Sequence, residues 1–355
     1  ETQREMLEAT RLDHLDAYET FDREHATALR GLIGRLNADR GDADVAAELA
    51  AAWLAADEAL EQRDAAFFAD VELIVLDPAD PAEAEAMAAV REARERVRLA
   101  VGRGRDLGGW AGRMAASIDA GGGFEHAIDL DLLLAESSAG SADATTTATP
   151  LLAEYARTRL ETLRTYREAW RRYAGVVASM STTPSEDRRN GEFWQRMNEP
   201  RAAVADARRQ LVQLNRRTLS RIERAADSIG EVLRDRYQRA AFPKVYDDEQ
   251  SAEGPLLAAL NLPDLGPDQA DRVRDLIALY RPRHQDLCRA LVEERMAESM
   301  ARGGRREWQE RTARSNRIEQ HVFDREELNA RTLRALRSVL ADEQARAVGF
   351  AISRS

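Results

Sequence analysis

The sequence predicts an all-α protein made of tandem long antiparallel helical hairpins, in two to three degenerate repeats with short capping helices. The composition is rich in Ala, Leu, Glu and Arg, which are strong helix formers. Apolar residues recur at steps of three and four, which places them along one face of a helix. A short motif that begins at Leu214 returns at Leu328, which indicates an internal repeat.

Apolar stripes mark the long helices. The first stripe contains His25 together with Leu15, Tyr18, Leu29, Leu32 and Leu36. The second contains Val45, Leu49, Trp53, Leu60, Phe67, Val71 and Ile74. The third contains Leu152, Tyr155, Leu163, Tyr166, Trp170, Tyr173, Val177 and Met180. Steps this regular over several turns are typical of antiparallel coiled coils, and we find no convincing run with the period of two that a β-strand requires.

Proline and glycine mark the ends of the helices. A capping-type residue stands before proline in four pairs, and we predict that a helix starts at each of them. These pairs are Asp80-Pro81, Thr149-Pro150, Thr183-Pro184 and Gly266-Pro267. Two stretches that contain glycine, Arg40–Asp42 and Arg302–Gly304, are predicted to be tight hairpin tips.

Two further stretches lack helical periodicity and are predicted to be linkers. Residues 102–123 are rich in glycine, and residues 137–149 are rich in Ser, Ala and Thr. The chain then divides into three predicted hairpin units, of which the first ends with the glycine-rich linker. The units cover residues 1–123, 124–245 and 246–355.

The internal repeat shows several features in the same order. Leu214–Leu219 matches Leu328–Leu333 at five of six positions. The flanking matches are Leu152-x-x-Tyr155 with Ile277-x-x-Tyr280, and Arg239–Phe242 with Ala347–Phe350. A first copy retains Leu15-x-x-Tyr18 and Asp64–Phe68. We therefore predict that the hairpins of residues 149–242 and 267–350 superpose.

Each repeat tyrosine is predicted to face a polar residue on the opposite arm of its hairpin. Both arms rise by about 1.5 Å per residue, so residues at equal distances from the tip lie opposite each other. A polar side chain in an apolar seam needs a partner, which a tyrosine hydroxyl provides. The predicted pairs are Tyr155 with Asn215, Tyr280 with Asn329, and Tyr18 with Asp64.

Two short segments resemble a known motif. Leu265–Gln269 and Leu340–Gln344 flank one predicted hairpin and resemble degenerate LTxxQ motifs of the Spy/CpxP family of periplasmic helical proteins. Gly266 and Ala341 stand where that family has threonine. The resemblance covers residues 256–350. It implies an exported all-α fold, often a cradle-shaped dimer, that acts as an ATP-independent chaperone or as a stress or metal sensor.

The residue types that usually carry catalysis or bind metal do not form a recognisable pattern. Cys288 is the single cysteine and lies on an apolar stripe, so we predict a buried thiol. The five histidines contain no pair at the three- or four-residue spacing that a helical metal site requires. We therefore predict no catalytic residues, no cofactor and no metal site.

Charge and hydropathy limit the classes of partner. The net charge is −11 and no long basic run occurs, which disfavours nucleic-acid binding. No apolar run reaches the length of about 18 residues that a membrane span needs. Other proteins, or further copies of the chain, are the predicted partners. Phe193 and Trp194, near the predicted tip of the longest hairpin, are the predicted exposed binding patch.

These observations predict an exported bacterial helical-repeat protein that binds other proteins, as a chaperone-like cradle or a scaffold, without catalysis. One alternative is a structural subunit of a self-assembling envelope or extracellular structure, and another is an enzyme with an unrecognised site. Lys244 is the only lysine among 52 basic residues, which is typical of a GC-rich bacterial genome. The family resemblance and a first residue other than Met lead us to expect a periplasmic or extracellular location.

Overall fold

The computed structural model contains α-helices and no β-strand in the residues that it describes. These are residues 2–38, 43–75, 80–101, 125–137, 142–179, 191–225, 227–246, 251–298 and 305–349. The predicted all-α fold class is therefore confirmed. Within the same ranges, every helix is too short or too polar to span a bilayer.

The chain divides into two compact units. Unit 1 contains residues 1–120 and 125–233, and unit 2 contains residues 121–124 and 234–355. The first two predicted hairpin units thus contribute to one compact body. The predicted superposition of two hairpins stays a prediction.

Unit 1 is built around two long helices. Its α-helices are α1 (Thr2–Phe21), α2 (Thr27–Ala38), α3 (Ala43–Val75), α4 (Pro81–Val101), α5 (Leu130–Ser137), α6 (Ala142–Ala178), α7 (Gly191–Ala225) and the first part of α8 (Asp227–Ala241). Helix α3 contacts α1, α2 and α6, and helix α6 contacts α4 and α7 as well. The core between them contains large apolar side chains, among them Leu49, Trp53, Leu163, Trp170 and Leu211.

A π-helical turn interrupts the first predicted stripe. Asp22–Ala26 forms this turn between α1 and α2, without a break in the helix. A π turn adds one residue to the helical period, which rotates the following face by about 100°. Leu29 and Leu32 are therefore buried, whereas Leu15 and Tyr18 are exposed. The prediction of one continuous stripe from Leu15 to Leu36 was wrong for this reason.

Unit 2 contains a second long hairpin with short helices packed on it. After the end of α8 follow α9 (Pro243–Tyr246), α10 (Glu253–Leu260), α11 (Pro267–Glu298), α12 (Arg305–Val339) and α13 (Asp342–Ala347). Helices α11 and α12 form the hairpin, and α9 and α10 contact α11. The core includes Leu256, Val273, Tyr280, Leu336 and Ala345.

The proline rule for helix starts held at two positions and failed at one. Pro81 and Pro267 are the first residues of α4 and α11. Pro150 lies inside α6, which begins at Ala142, so residues 142–149 are helical and do not form the predicted linker. No glycine or other proline interrupts these residues, and nothing therefore ends the helix there. Pro184, both predicted tips and the linker 102–123 lie outside the described residues.

Candidate functional site

A buried polar site of unit 1 is centred on Tyr155 and Asn215. The Tyr155 hydroxyl on α6 donates a 2.9 Å hydrogen bond to Asn215 Oδ1 on α7. Both side chains are fully buried. Burial raises the pKa of the Tyr155 hydroxyl, which keeps this group protonated and able to donate. The structure therefore brings together the first pair that the equal-arm geometry predicts.

A separate piece of chain is bound at this pair. We call residues 125–137 the docked segment; it contains a 3₁₀ turn at Glu125–Ala127 and helix α5. The Leu130 amide donates to Tyr155 Oη at 3.1 Å. Asn215 Nδ2 donates to the carbonyls of Glu125 at 2.6 Å and Ile128 at 3.1 Å. Tyr155 thus accepts a hydrogen bond from a main-chain amide of the docked segment, and Asn215 donates to two of its main-chain carbonyls.

Arginines surround the docked segment and meet its acidic side chains. Arg216 on α7 forms two hydrogen bonds with the Glu125 carboxylate, at 2.8 and 2.6 Å. Arg159 on α6 lies 3.5 Å from Asp129 and donates to the His126 carbonyl at 3.3 Å. A buried charge is tolerated only when it is paired and hydrogen-bonded, and the buried carboxylates of Glu125 and Asp129 each lie beside an arginine.

The apolar side chains of the docked segment are buried in unit 1. Ile128, Leu130 and Leu134 are buried, whereas Leu132 on the other side of α5 is 49% exposed. The segment is therefore a short amphipathic helix whose apolar face is covered by unit 1. Burial of three aliphatic side chains supplies several kcal/mol of favourable transfer free energy.

Unit 2 contains the same arrangement around Tyr280. The Tyr280 hydroxyl on α11 donates to Asn329 Oδ1 on α12 at 2.7 Å. It accepts a hydrogen bond from the Ala252 amide at 3.2 Å, and Ser251 Oγ lies 3.0 Å away. Ala252 immediately precedes α10. In both units, a tyrosine that is bonded to an asparagine therefore holds the main chain at the start of a short helix.

Sequence reasoning predicted these two pairs but missed what they bind. Leu130 precedes Tyr155 by 25 residues, and Ala252 precedes Tyr280 by 28 residues. A signal existed in the first case, because Asp129 and Asp131 stand within a short run of aliphatic residues from Ile128 to Leu134. The repeat match did not extend to this segment, so it was overlooked.

The surroundings of Tyr280 differ from those of Tyr155 one helical turn further on. His284 stacks on the Tyr280 ring with centroids 5.1 Å apart, where unit 1 has Arg159. Cys288 Sγ lies 3.7 Å from His284 Nδ1 and donates to the Val245 carbonyl at 3.4 Å. The Cys288 thiol is fully buried, as predicted.

The two motif glutamines form a reciprocal contact in unit 2. Gln269 Oε1 accepts from the Gly266 amide at 3.0 Å, and Gln344 Oε1 accepts from the Ala341 amide at 2.9 Å. Gln269 Nε2 donates to Gln344 Oε1 at 3.0 Å and to the Val339 carbonyl at 2.8 Å. Each glutamine caps the first amide of its own helix and reaches the other helix, which supplies the half of a capping box that does not use a threonine side chain.

Tyr18 and Asp64, the third predicted pair, have different partners. The Asp64 carboxylate lies 3.3 Å from Arg94 and 3.1 Å from Arg98 on α4. The Tyr18 ring packs near His14 and Phe21 and is 39% exposed. Among the described residues no hydrogen bond joins Tyr18 to Asp64. An ionised carboxylate gains more from two guanidinium groups than from a phenol, which explains the difference.

A cluster of ion pairs joins α3 to α6. Arg167 and Arg171 on α6 both bond to Asp57 and Glu61 on α3, at distances between 2.8 and 3.3 Å. The Arg167 hydrogen bonds lower the pKa of Glu61 to about 2. Asp57 and Glu61 are four residues apart on α3, and Arg167 and Arg171 are four residues apart on α6. This matched spacing is the signal that sequence reasoning did not use.

The predicted patch at Phe193 and Trp194 lies at the start of α7, where the side chains are outside the described part of the structure. That prediction therefore stays open. In the described residues, no group of three or more His, Cys, Asp or Glu side chains is placed to hold a metal ion.

Comparisons with protein-family models, with curated proteins and with solved structures give no match to this chain. The resemblance of residues 256–350 to the Spy/CpxP family therefore rests on the two motifs alone. It stays a prediction.

Proposed function

We propose that this chain is an exported bacterial helical protein that binds other polypeptides, as a chaperone-like surface or a scaffold, without catalysing a reaction. The observation that carries the proposal is a row of exposed apolar side chains on α1. Leu12, Leu15 and Tyr18 are 49%, 46% and 39% exposed. They are spaced three residues apart, so they lie on neighbouring turns of one helix.

The row has a specific origin in the fold. The π turn at Asp22–Ala26 rotates α1 relative to α2, so residues of the predicted core stripe face outward on α1. Contiguous exposed apolar residues mark binding surfaces more often than single ones do. The row is flanked by exposed charged side chains, which include Asp16, Glu19 and the ion pair of Arg11 with Glu8.

The test is an aggregation assay with a chemically denatured client protein. Wild-type protein is expected to suppress light scattering without nucleotide and equally with or without a chelator. The Leu12→Ser/Leu15→Ser variant should lose at least half of this effect, because the apolar row is removed. The matched control is Leu73→Ser, since Leu73 is 86% exposed on α3 and lies outside the row.

The chaperone-like role would be eliminated if the protein neither suppressed client aggregation nor captured a protein in a pull-down from envelope extract. Suppression that a chelator removes would point instead to a metal-dependent function. The structural-subunit alternative predicts concentration-dependent assembly of purified protein, which sedimentation velocity measures. Assembly that the Leu12→Ser/Leu15→Ser variant abolishes would assign the row to contacts between copies.

A further inference from the structure

Helix α1 is held to the rest of unit 1 mainly along one side. Its main contacts are with α3 and with the π turn that follows it. Phe21, the last residue of α1, is buried, whereas Leu7 and His14 on the α3 side are only half-buried. Among the described residues, one side-chain hydrogen bond joins the two helices, from Gln3 Nε2 to the Ile74 carbonyl at 3.2 Å. A helix with so few buried contacts opens at a lower free energy than the core does.

His14 is a titratable side chain near the middle of this contact. Its ring packs against Phe67 of α3, with centroids 4.3 Å apart and planes 31° apart. Burial lowers the pKa of the His14 imidazole from its ordinary value of 6.5. Asp64 of α3 opposes this shift, whereas Arg94 of α4 and Arg63 of α3 add to it. The attached helix therefore favours a neutral His14.

The charged groups beneath α1 do not compensate a proton on His14. The carboxylate of Asp64 lies 3.3 Å from Arg94 and 3.1 Å from Arg98. Arg63 Nη1 is buried and has no hydrogen-bond partner in the described part of the chain. The carboxylate that acts on His14 is thus already matched by two guanidinium groups, and a protonated His14 adds a charge that it does not balance.

We propose that protonation of His14 releases helix α1 from α3, with the π turn Asp22–Ala26 as the hinge. Helices bend sharply at few kinds of place, and π turns are one of them. Release exposes Leu7 and Phe67, which adds apolar surface beside the exposed row of α1. This inference rests on the proposed role in binding polypeptides, because it gives that binding surface a dependence on pH.

The direction of the pH dependence follows from linkage. In released α1 the His14 ring is in water and has its ordinary pKa of 6.5, whereas in attached α1 its pKa is lower. The attachment is therefore at full strength above pH 6.5 and weakens as the pH falls through the lowered pKa. Glu61 has a pKa of about 2, so its contact between α3 and α6 stays ionised in this range.

Hydrogen exchange followed by mass spectrometry on the full chain measures the release. In wild type, protection of residues 2–21 should fall at least about threefold from pH 7.5 to pH 5.0, after correction for the intrinsic rate of amide exchange. Protection of residues 163–177 in α6 should not change. His14→Phe keeps an aromatic ring against Phe67 and takes up no proton, so its protection should be equal at both pH values.

His25→Phe is the matched control. His25 lies in the π turn and packs on Phe21 with centroids 5.1 Å apart, and this variant should keep the wild-type response. Equal protection of wild-type α1 at both pH values, a response that persists in His14→Phe, or a response lost in His25→Phe would overturn the proposal.

An NMR titration of the imidazole in wild type decides the case in which His14→Phe fails to form the attached helix. The pKa of His14 should lie below 6.5, and Arg94→Gln should raise it, because a nearby cation is removed. A pKa at or above the ordinary value in wild type would overturn the proposal. Client suppression at pH 7.5 is measured separately, so failure here leaves the proposed function intact.

Discussion

Arg167 on α6 and Glu61 on α3 are joined by two hydrogen bonds of 2.9 Å each, from Nη1 to Oε1 and from Nη2 to Oε2. Such a two-point contact fixes both the distance and the orientation of the carboxylate. It crosses the interface on which the core of unit 1 is built, and it makes the stability of unit 1 sensitive to acid.

The pH dependence follows from the direction of the pKa shift of Glu61. Its pKa falls from 4.5 to about 2, chiefly because Arg167 donates hydrogen bonds to the carboxylate. The stabilisation is therefore complete above pH 4.5 and is lost as the pH falls towards 2. The melting-temperature difference between wild type and Glu61→Gln should be largest at neutral pH and shrink across this window.

Thermal unfolding followed by circular dichroism from pH 7 to pH 2 measures this difference. Glu58→Gln is the control, because Glu58 on the same helix is exposed and accepts a bond from Gln62. A constant difference between wild type and Glu61→Gln over the whole range would show that Arg167 does not lower the pKa of the Glu61 carboxylate.

Loss of the Asn215 side chain is expected to destabilise unit 1. Asn215→Ala removes the acceptor of Tyr155 and the donor to the Glu125 and Ile128 carbonyls. Buried groups left without partners cost about 1–3 kcal/mol. Urea unfolding should show this loss, whereas Asn198→Ala, at an exposed position of the same helix, should change stability by less than about 0.5 kcal/mol. Equal stabilities of the two variants would refute the prediction.

Two glycines in unit 1 predict opposite responses to alanine. A Cβ atom at Gly230 would collide with the Glu223 main chain, whereas a Cβ atom at Gly175 meets nothing within 4 Å. Gly230→Ala should therefore destabilise the protein. Gly175→Ala should stabilise it by about 0.5–1 kcal/mol, because alanine is the better helix former. Chemical denaturation of both variants measures the signs, and the same sign for both would contradict the predicted geometry.

The reciprocal glutamines predict an energetic coupling in unit 2. Gln344→Ala leaves the Ala341 amide and the Asp264 carbonyl without their present partner, at a cost of about 1–3 kcal/mol. Gln269→Ala should cost less when Gln344 is already absent, since the two side chains bond to each other. A double-mutant cycle in urea measures this coupling. Gln320→Ala, at an exposed site, is the control, and additive losses would show that the contact contributes nothing.

The sequence predicted the elements whose cause is local or periodic. The all-α class followed from helix formers at steps of three and four, and Tyr155 with Asn215 followed from equal rise along two arms. The rotation of α1 relative to α2 could not be predicted. The apolar residues continue at steps of three and four through the π turn, so the sequence does not show the added residue. Asp64 was assigned to Tyr18 by the equal-arm geometry, and its arginine partners were missed because they lie on α4, which packs there only in three dimensions.

The docked segment was missed for a related reason. Its sequence combines aliphatic residues with Asp129 and Asp131, but nothing local says which helices it packs against. That information lies in Arg159, Asn215 and Arg216, which are distant along the chain. The glutamine motifs show the same limit, because both could be recognised in the sequence, whereas the contact between Gln269 and Gln344 required the folded hairpin.

Hydrogen exchange followed by mass spectrometry tests the central claim most directly, which is that a Tyr–Asn pair in each unit holds its own short helix start. Tyr155→Phe removes the hydroxyl that accepts from Leu130, and Tyr280→Phe removes the one that accepts from Ala252. Tyr155→Phe should accelerate exchange in residues 125–134 and leave residues 251–260 unchanged, whereas Tyr280→Phe should do the reverse. Unchanged protection in both segments, or a loss spread equally over both by either variant, would contradict the claim.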